Sequence, residues 1–157
     1  MKVLIIYDSF FGNTAKVALS MKKALQAKGE VLAIPVSDFS VQHLQNCSHL
    51  FIGSPTRAFQ PTPLIKQLIS NLSKKDLQEI KVLVFDTRME IEKIDVKILQ
   101  IFAGWFGFAN DTMQKKLQRK VNHIQIEASG FFVEESEGPL SDGELERAAL
   151  WAVEQVK

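Results

Sequence analysis

Short apolar runs alternate along this chain with segments of helical period. Val3-Leu4-Ile5-Ile6-Tyr7 is continuously apolar rather than alternating, the pattern of a strand covered on both faces. Over residues 14–28, Val17, Met21, Ala24 and Leu25 recur at helical spacing, and Gly29 stands where that helix must end. Residues 31–36 predict a second strand, whose Pro35 assigns it to a sheet edge, where no ladder hydrogen bond is lost. Leu50-Phe51-Ile52-Gly53 and Val82-Leu83-Val84-Phe85 predict two more buried strands. Between them, residues 63–69 predict a helix with Pro63 in its first turn. Ile124, Ile126, Phe131, Phe132 and Val133 predict a fifth strand, interrupted or bulged at Ser129-Gly130. Ser141-Asp142-Gly143-Glu144 has capping-box spacing ahead of a helical face formed by Leu145, Ala149, Val153 and Val156. Residues 89–110 fit least well. Charged at first and then rich in apolar and aromatic residues, they predict a short helix followed by an aromatic loop before a basic helix.

Five strands alternating with helices predict a parallel sheet with right-handed crossovers and helices on both faces, an α/β fold of three layers. No repeat, low-complexity tract or linker divides residues 1–157, so a single domain is expected. The composition agrees: 46% of the 157 residues are apolar and 24% charged, which suits a globular core and argues against disorder. No apolar run approaches the roughly 20 residues a membrane span needs. The apolar run Val3–Tyr7 after Lys2 is too short for a signal-peptide core, so a cytoplasmic protein is expected. One cysteine, Cys47, excludes an internal disulfide and reads as a buried small apolar residue. With 19 Lys and Arg against 18 Asp and Glu, nothing in the charge balance favours nucleic acid. The charge is unevenly spread, however. Seven acids lie within residues 127–146, just after the basic cluster Lys115, Lys116, Arg119 and Lys120.

In open parallel sheets, ligands bind beyond the carboxyl ends of strands where the strand order reverses. That directs attention to three segments: Asp8 to Thr14, Ser54 to Phe59, and Asp86-Thr87-Arg88. The first is a turn entering a helix, whose free N–H groups suit a phosphate. Ser9, Asn13 and Thr14 offer further donors, and Gly12 lets the backbone curl around an anion. The competing reading is an ordinary strand-to-helix turn capped by Asn13 or Thr14.

Ser9-Phe10-Phe11-Gly12-Asn13-Thr14 after a first strand resembles the FMN-phosphate loop of flavodoxins, a hydroxyl-rich turn ending in Gly-Asn-Thr. Gly53-Ser54-Pro55-Thr56-Arg57 is similar to the loop after strand three in flavodoxin-like NAD(P)H:quinone reductases. Glu137-Gly138-Pro139-Leu140 resembles the approach to the last helix in small flavodoxin-domain proteins. This resemblance spans nearly the whole chain. It implies a flavodoxin-like fold with a five-stranded sheet in the order 2-1-3-4-5 and FMN at the switch between strands one and three.

Carried onto this chain, the resemblance implies that Ser9, Phe10, Phe11, Gly12, Asn13 and Thr14 hold the phosphate. Ser54, Pro55, Thr56, Arg57, Ala58 and Phe59 would lie along one side of the isoalloxazine, with Asp86, Thr87 and Arg88 at its other edge. Phe59 is a candidate ring stacker, with Trp105, Phe106 or Phe108 opposite, against core packing for each. Two departures stand out. Phe11 replaces a hydroxyl residue usual in flavodoxins, and the glycine- and aromatic-rich loop usual after strand four is not recognisable.

Other chemistries lack their motifs. A phosphorylatable Asp does not end strand three, where a receiver domain needs one, and GxGxxG, the P-loop and G-x-S-x-G are all absent. His43, His49 and His123 have no metal-ligand spacing, and no catalytic residue or metal is expected. The function expected is electron transfer or small-acceptor redox chemistry through FMN, with a redox partner protein or a small-molecule acceptor. Flavodoxins that serve as low-potential carriers are strongly acidic, whereas this chain is balanced and sets Arg57 and Arg88 in loops expected beside the ring. A less reducing flavoprotein is therefore expected, unless both arginines simply pair with acids. The alternative is an interaction module that has lost tight FMN binding and uses Phe102, Trp105, Phe106 and Phe108 as a partner or dimer surface.

Overall fold

The computed structural model describes residues 1–94, 96–121 and 125–157, and all side chains there except those of Ile98, Phe102, Ala103, Trp105 and Phe106. Five parallel strands form one sheet: β1 (Lys2–Tyr7), β2 (Glu30–Pro35), β3 (His49–Pro55), β4 (Lys81–Met89) and β5 (Glu127–Val133). Their order is β2-β1-β3-β4-β5, so the chain reverses its direction of winding between β1 and β3. Pro35 ends the edge strand β2, as its missing donor requires.

The helices are α1 (Asn13–Leu25), α2 (Pro63–Asn71), α3 (Lys97–Phe106), α4 (Ala109–Gln118) and α5 (Glu144–Gln155). Strand alternation sorts the core into two halves. Val3, Ile5, Phe51, Leu83, Phe85 and Phe131 pack against Val17, Met21 and Leu25 of α1 and Ala148 and Ala152 of α5. Leu4, Ile6, Leu50, Ile52, Val82 and Val84 pack against Ile65, Leu68 and Ile69 of α2 and Met113 and Leu117 of α4. Burial on both faces is why the inner strands carry continuous apolar runs. Cys47 is free and buried, its Sγ donating to the His49 carbonyl at 3.0 Å.

Four local expectations are corrected. First, Asp86, Thr87 and Arg88 are not a loop after β4 but belong to it. The strand stays in register with β3 through Ser54↔Asp86 and Pro55↔Thr87, and with β5 through Met89↔Val133. Second, β5 is not interrupted at Ser129-Gly130. Gly130 is there for close approach, because a Cβ at this position would meet the Arg88 guanidinium carbon at 2.5 Å. Of the residues assigned to this strand, Ile124 lies outside the described residues, and Ile126 precedes the strand, buried under α4.

Third, the aromatic stretch expected as a loop is helical as α3. The chain breaks only at Gly107 (φ 69°), and the Asp111 carboxylate then accepts from the Phe108 N–H at 2.7 Å to start α4. Fourth, Ser141 does not cap α5. Gly143 (φ 82°) takes the N-cap position without a side-chain bond, and Glu144 turns back to β5. There it accepts from the Phe132 N–H at 2.6 Å and pairs with Arg147, whose guanidinium also lies 4.7 Å from the Phe131 ring centroid.

Burial pushes the Glu144 carboxyl upward, but the bonds from Arg147 and Phe132 and the Arg147 charge outweigh it, leaving the group below the ordinary glutamate value. A carboxyl with a depressed folded value stabilises the fold above its unfolded pKa of about 4.3 and loses that contribution as pH falls through its folded value. Glu144→Gln should therefore cost about 1.5–3 kcal/mol at pH 7. In urea unfolding, the gap between wild type and variant should narrow as pH drops below about 4. A gap independent of pH would show that the carboxylate charge is not what clamps α5 to β5.

Candidate functional site

The reversal between β1 and β3 opens a cleft at the carboxyl end of the sheet. Its volume is about 430 Å³, within the range of small-molecule and cofactor sites. Of the residues expected to form a site, Ser9, Phe10, Phe11, Asn13, Thr14, Pro55, Thr56, Arg57, Ala58, Phe59, Thr87 and Arg88 line it. Gly12, Ser54 and Asp86 do not. Gly12 shapes the turn, and the other two are fully buried beneath it.

The turn from β1 into α1 forms one end of the cleft. The Ser9 N–H donates to Asp8 Oδ1 at 2.9 Å, and the Ala15 N–H donates to Ser9 Oγ at 3.2 Å. Between them, the backbone N–H groups of Phe10, Phe11, Gly12, Asn13 and Thr14 have no hydrogen-bond partner among the described residues. Gly12 (φ 87°) makes this curl possible. A Cβ there would meet nothing within 4 Å, so the conformation, not space, requires glycine.

Two of the three side chains expected as extra donors, Asn13 and Thr14, are tied to other elements. Asn13 Nδ2 donates to the Glu137 carbonyl at 3.0 Å, tying α1 to the segment after β5. Thr14 Oγ1 lies 2.8 Å from Thr87 Oγ1, joining α1 to β4. Both residues are buried. The backbone N–H groups and the Ser9 hydroxyl, which only accepts from Ala15, are the donors left at this turn.

The second wall is a tight hairpin. Arg57 and Gln60 exchange both backbone hydrogen bonds at 2.9 Å, with Ala58 (φ 45°) and Phe59 (φ 64°) at the bend. Two consecutive positive φ values define a type I′ turn, in which Asn and Gly are preferred. Ala and Phe there store backbone strain of roughly 1–2 kcal/mol each. The exposed Arg57 guanidinium stands 5.2 Å from the Phe10 ring centroid and 5.3 Å from that of Phe11, bridging the two loops by cation–π contact. It forms no ion pair among the described residues.

The third wall rests on a buried ion pair. Asp86 is fully buried, and Arg88 Nε and Nη2 donate to its two oxygens at 2.7 and 2.9 Å. The Thr56 hydroxyl donates to the same carboxylate at 3.1 Å, and the Asn110 N–H at the start of α4 donates at 2.9 Å. Burial raises the Asp86 carboxyl above its ordinary value, opposed by the Arg88 charge and these donors. Arg88 lies over Phe108, its guanidinium carbon 4.1 Å from the ring centroid. Ser54 is also spent on structure, its Oγ accepting from the Thr62 N–H at 3.0 Å at the start of α2.

The sequence reading missed Met89, Ile94, Leu99, Val133, Ser136 and Glu137, which complete the lining. Val133 ends β5 and Ser136 and Glu137 follow it, so the rule that sites lie beyond strand ends reaches them once it is applied to every strand. Ile94 and Leu99 lie in the segment that resisted assignment. Phe59 and Phe108 both line the cleft, while the Trp105 and Phe106 side chains lie outside those described.

Comparison with known proteins agrees with the fold. Residues 4–133 match the family model described as the flavodoxin domain, and the chain belongs to that family. A flavodoxin from the domain Archaea superposes with a TM-score of 0.70 at 14% identity, covering 99% of both chains. The two-electron reduced flavodoxin of Megasphaera elsdenii gives 0.67 at 18% identity over 97% of this chain and 98% of that one. The flavodiiron protein from Giardia intestinalis gives 0.70 at 14% identity, but this chain spans only 35% of its length. No curated protein sequence matches the chain.

Proposed function

We infer that this protein binds FMN in the cleft, with the phosphate on the turn from Phe10 to Thr14. The observation that carries this reading is the run of five unpartnered N–H groups at the start of α1, opening onto a cleft with partly aromatic walls. An anion there replaces water on donors the fold cannot otherwise satisfy. The hydroxyl lost at Phe11 is thus a smaller departure than it looks, since the five backbone N–H groups and the Ser9 hydroxyl remain available.

Bound FMN would supply one- and two-electron redox chemistry, with a partner protein or a small-molecule acceptor as the other party. The chain's own contribution is to hold the phosphate, to wall the ring with Phe59 and Phe108, and to set the local charge. Arg88 is neutralised by Asp86 and adds no net charge. Arg57 is a rim cation with no ion-pair partner among the described residues, in a lining that also includes Glu137. It favours the more negatively charged redox state of whatever the cleft holds and so raises the potential. A carrier less reducing than an acidic flavodoxin follows from this charge arrangement.

Isothermal titration should find FMN bound at least about a hundredfold more tightly than riboflavin, the equivalent of about 2.7 kcal/mol for the phosphate. Equal affinities would remove the phosphate assignment. If neither flavin binds, the alternative of an interaction module takes its place. Spectroelectrochemical titration of the FMN-loaded protein should show a lower midpoint potential in Arg57→Gln than in wild type. An unchanged potential would show that Arg57 acts only through its contacts with Phe10 and Phe11.

A further inference from the structure

A second cavity of about 280 Å³ lies beside the cleft, past the carboxyl ends of β4 and β5. Arg88, Met89 and Phe108 line both cavities and form their common wall. Strand alternation places Arg88 and Phe132 on the sheet face that carries α2 and α4, and the 3₁₀ turn Ile91–Lys93 crosses above them. Gly130 keeps the strand low beneath the Arg88 guanidinium. The smaller cavity is therefore built by the same ion pair that shapes the main cleft.

Its chemistry is specific. Met89, Ile91, Phe108 and Phe132 make the walls apolar. Arg88 is the polar group, with its side chain only 14% exposed. Nε and Nη2 are taken by Asp86, whereas Nη1 has no hydrogen-bond partner among the described residues. A guanidinium held between Phe108 and Asp86 thus keeps donors in reserve at this shared wall. Because the pair is neutral overall, it offers hydrogen bonds without a net charge for a ligand to balance. Glu90 and Glu92 also line the cavity, and Lys93 is shared between Glu90 at 3.9 Å and Glu134 at 3.2 Å. These carboxylates repel an anion, and Lys93, paired with Glu90, offsets part of the field that would draw a cation. The volume falls just under the roughly 300 Å³ at which pockets for drug-sized ligands begin, which suits one or two fused rings.

We propose that this second cavity binds a neutral, planar aromatic carbonyl compound, its ring against the apolar wall and its carbonyl accepting from Arg88 Nη1. Binding itself does not require FMN in the main cleft. Its meaning as the place of a second reactant does rest on the FMN reading, since the shared wall sets the two ligands side by side. The cavity also gives a role to the 89–94 segment, which leaves the sheet to form one of its sides.

Coumarin, a neutral two-ring carbonyl compound, and 2-naphthoate, an anion of similar size, test this by ligand-observed NMR titration of the full chain. The titrations are run with and without saturating FMN. Coumarin should saturate in both conditions, and 2-naphthoate should bind at least about tenfold more weakly. Ile91→Trp fills the smaller cavity from a turn where Ile91 is 36% exposed and leaves the main cleft untouched. It should weaken coumarin at least about tenfold while the thermal melt and FMN affinity stay as in wild type. No saturable coumarin binding, equal binding of 2-naphthoate, indifference to Ile91→Trp or displacement of coumarin by FMN would each overturn the proposal. If FMN fails to bind while coumarin behaves as stated, the FMN reading falls and the second site stands.

Discussion

The Asp86–Arg88 pair is the contact on which the functional end of this molecule depends. A carboxylate with no exposure to water pays a desolvation cost of several kcal/mol, and it is kept only when its lone pairs are filled. Here the donors come from three directions: Arg88 two residues along β4, Thr56 beyond the end of β3, and the first turn of α4. One buried charge therefore fixes where β3 ends, where α4 begins and how far β4 runs. The negative group at the α4 N-terminus also sits favourably in the field of that helix. Removing one partner of such a pair leaves the other uncompensated, a loss of about 3–5 kcal/mol.

From that pair the division of labour in the cleft follows. The side chains nearest the sheet are spent on holding loops together: Thr14 to Thr87, Asn13 to Glu137, Ser54 to Thr62. What remains free is backbone N–H and the Ser9 hydroxyl at one end, the Arg57 guanidinium at the rim and aromatic surface between. On the FMN reading, such a site would hold the phosphate chiefly through main-chain N–H groups rather than side-chain charge. The strain stored at Ala58 and Phe59 fits this picture, because the I′ turn holds Arg57 against Phe10 and Phe11 and turns Phe59 toward the cleft.

Much of the fold was legible in the sequence because burial on both faces writes long apolar runs, and β1, β3 and the first half of β4 are of that kind. Strand order was not legible from periodicity. It came from the resemblance carried by Ser9 to Thr14. The misreadings share a cause. Asp86, Thr87 and Arg88 look like a polar loop because nothing local shows that Arg88 will neutralise Asp86 within a strand. Gly130 looks like a bulge because the guanidinium it makes room for lies 42 positions earlier in the chain. Glu144 was read as half of a capping box, yet its partner is the Phe132 N–H on the neighbouring strand. The rule for parallel sheets pointed to segments that the fold brings to one cleft. Which of their side chains were already engaged depended on contacts between α1, β4 and the segment after β5, and those are tertiary.

The central claim is that backbone N–H groups of the turn from Phe10 to Thr14 hold a phosphate. Amide resonances report this directly, since a hydrogen bond to a phosphate oxygen moves an amide proton downfield. In ¹⁵N–¹H spectra of the full chain, FMN should shift amides of residues 10–14 downfield, and riboflavin should leave them nearly unmoved. Equal shifts from both flavins, or shifts from FMN confined to other parts of the chain, would contradict the account.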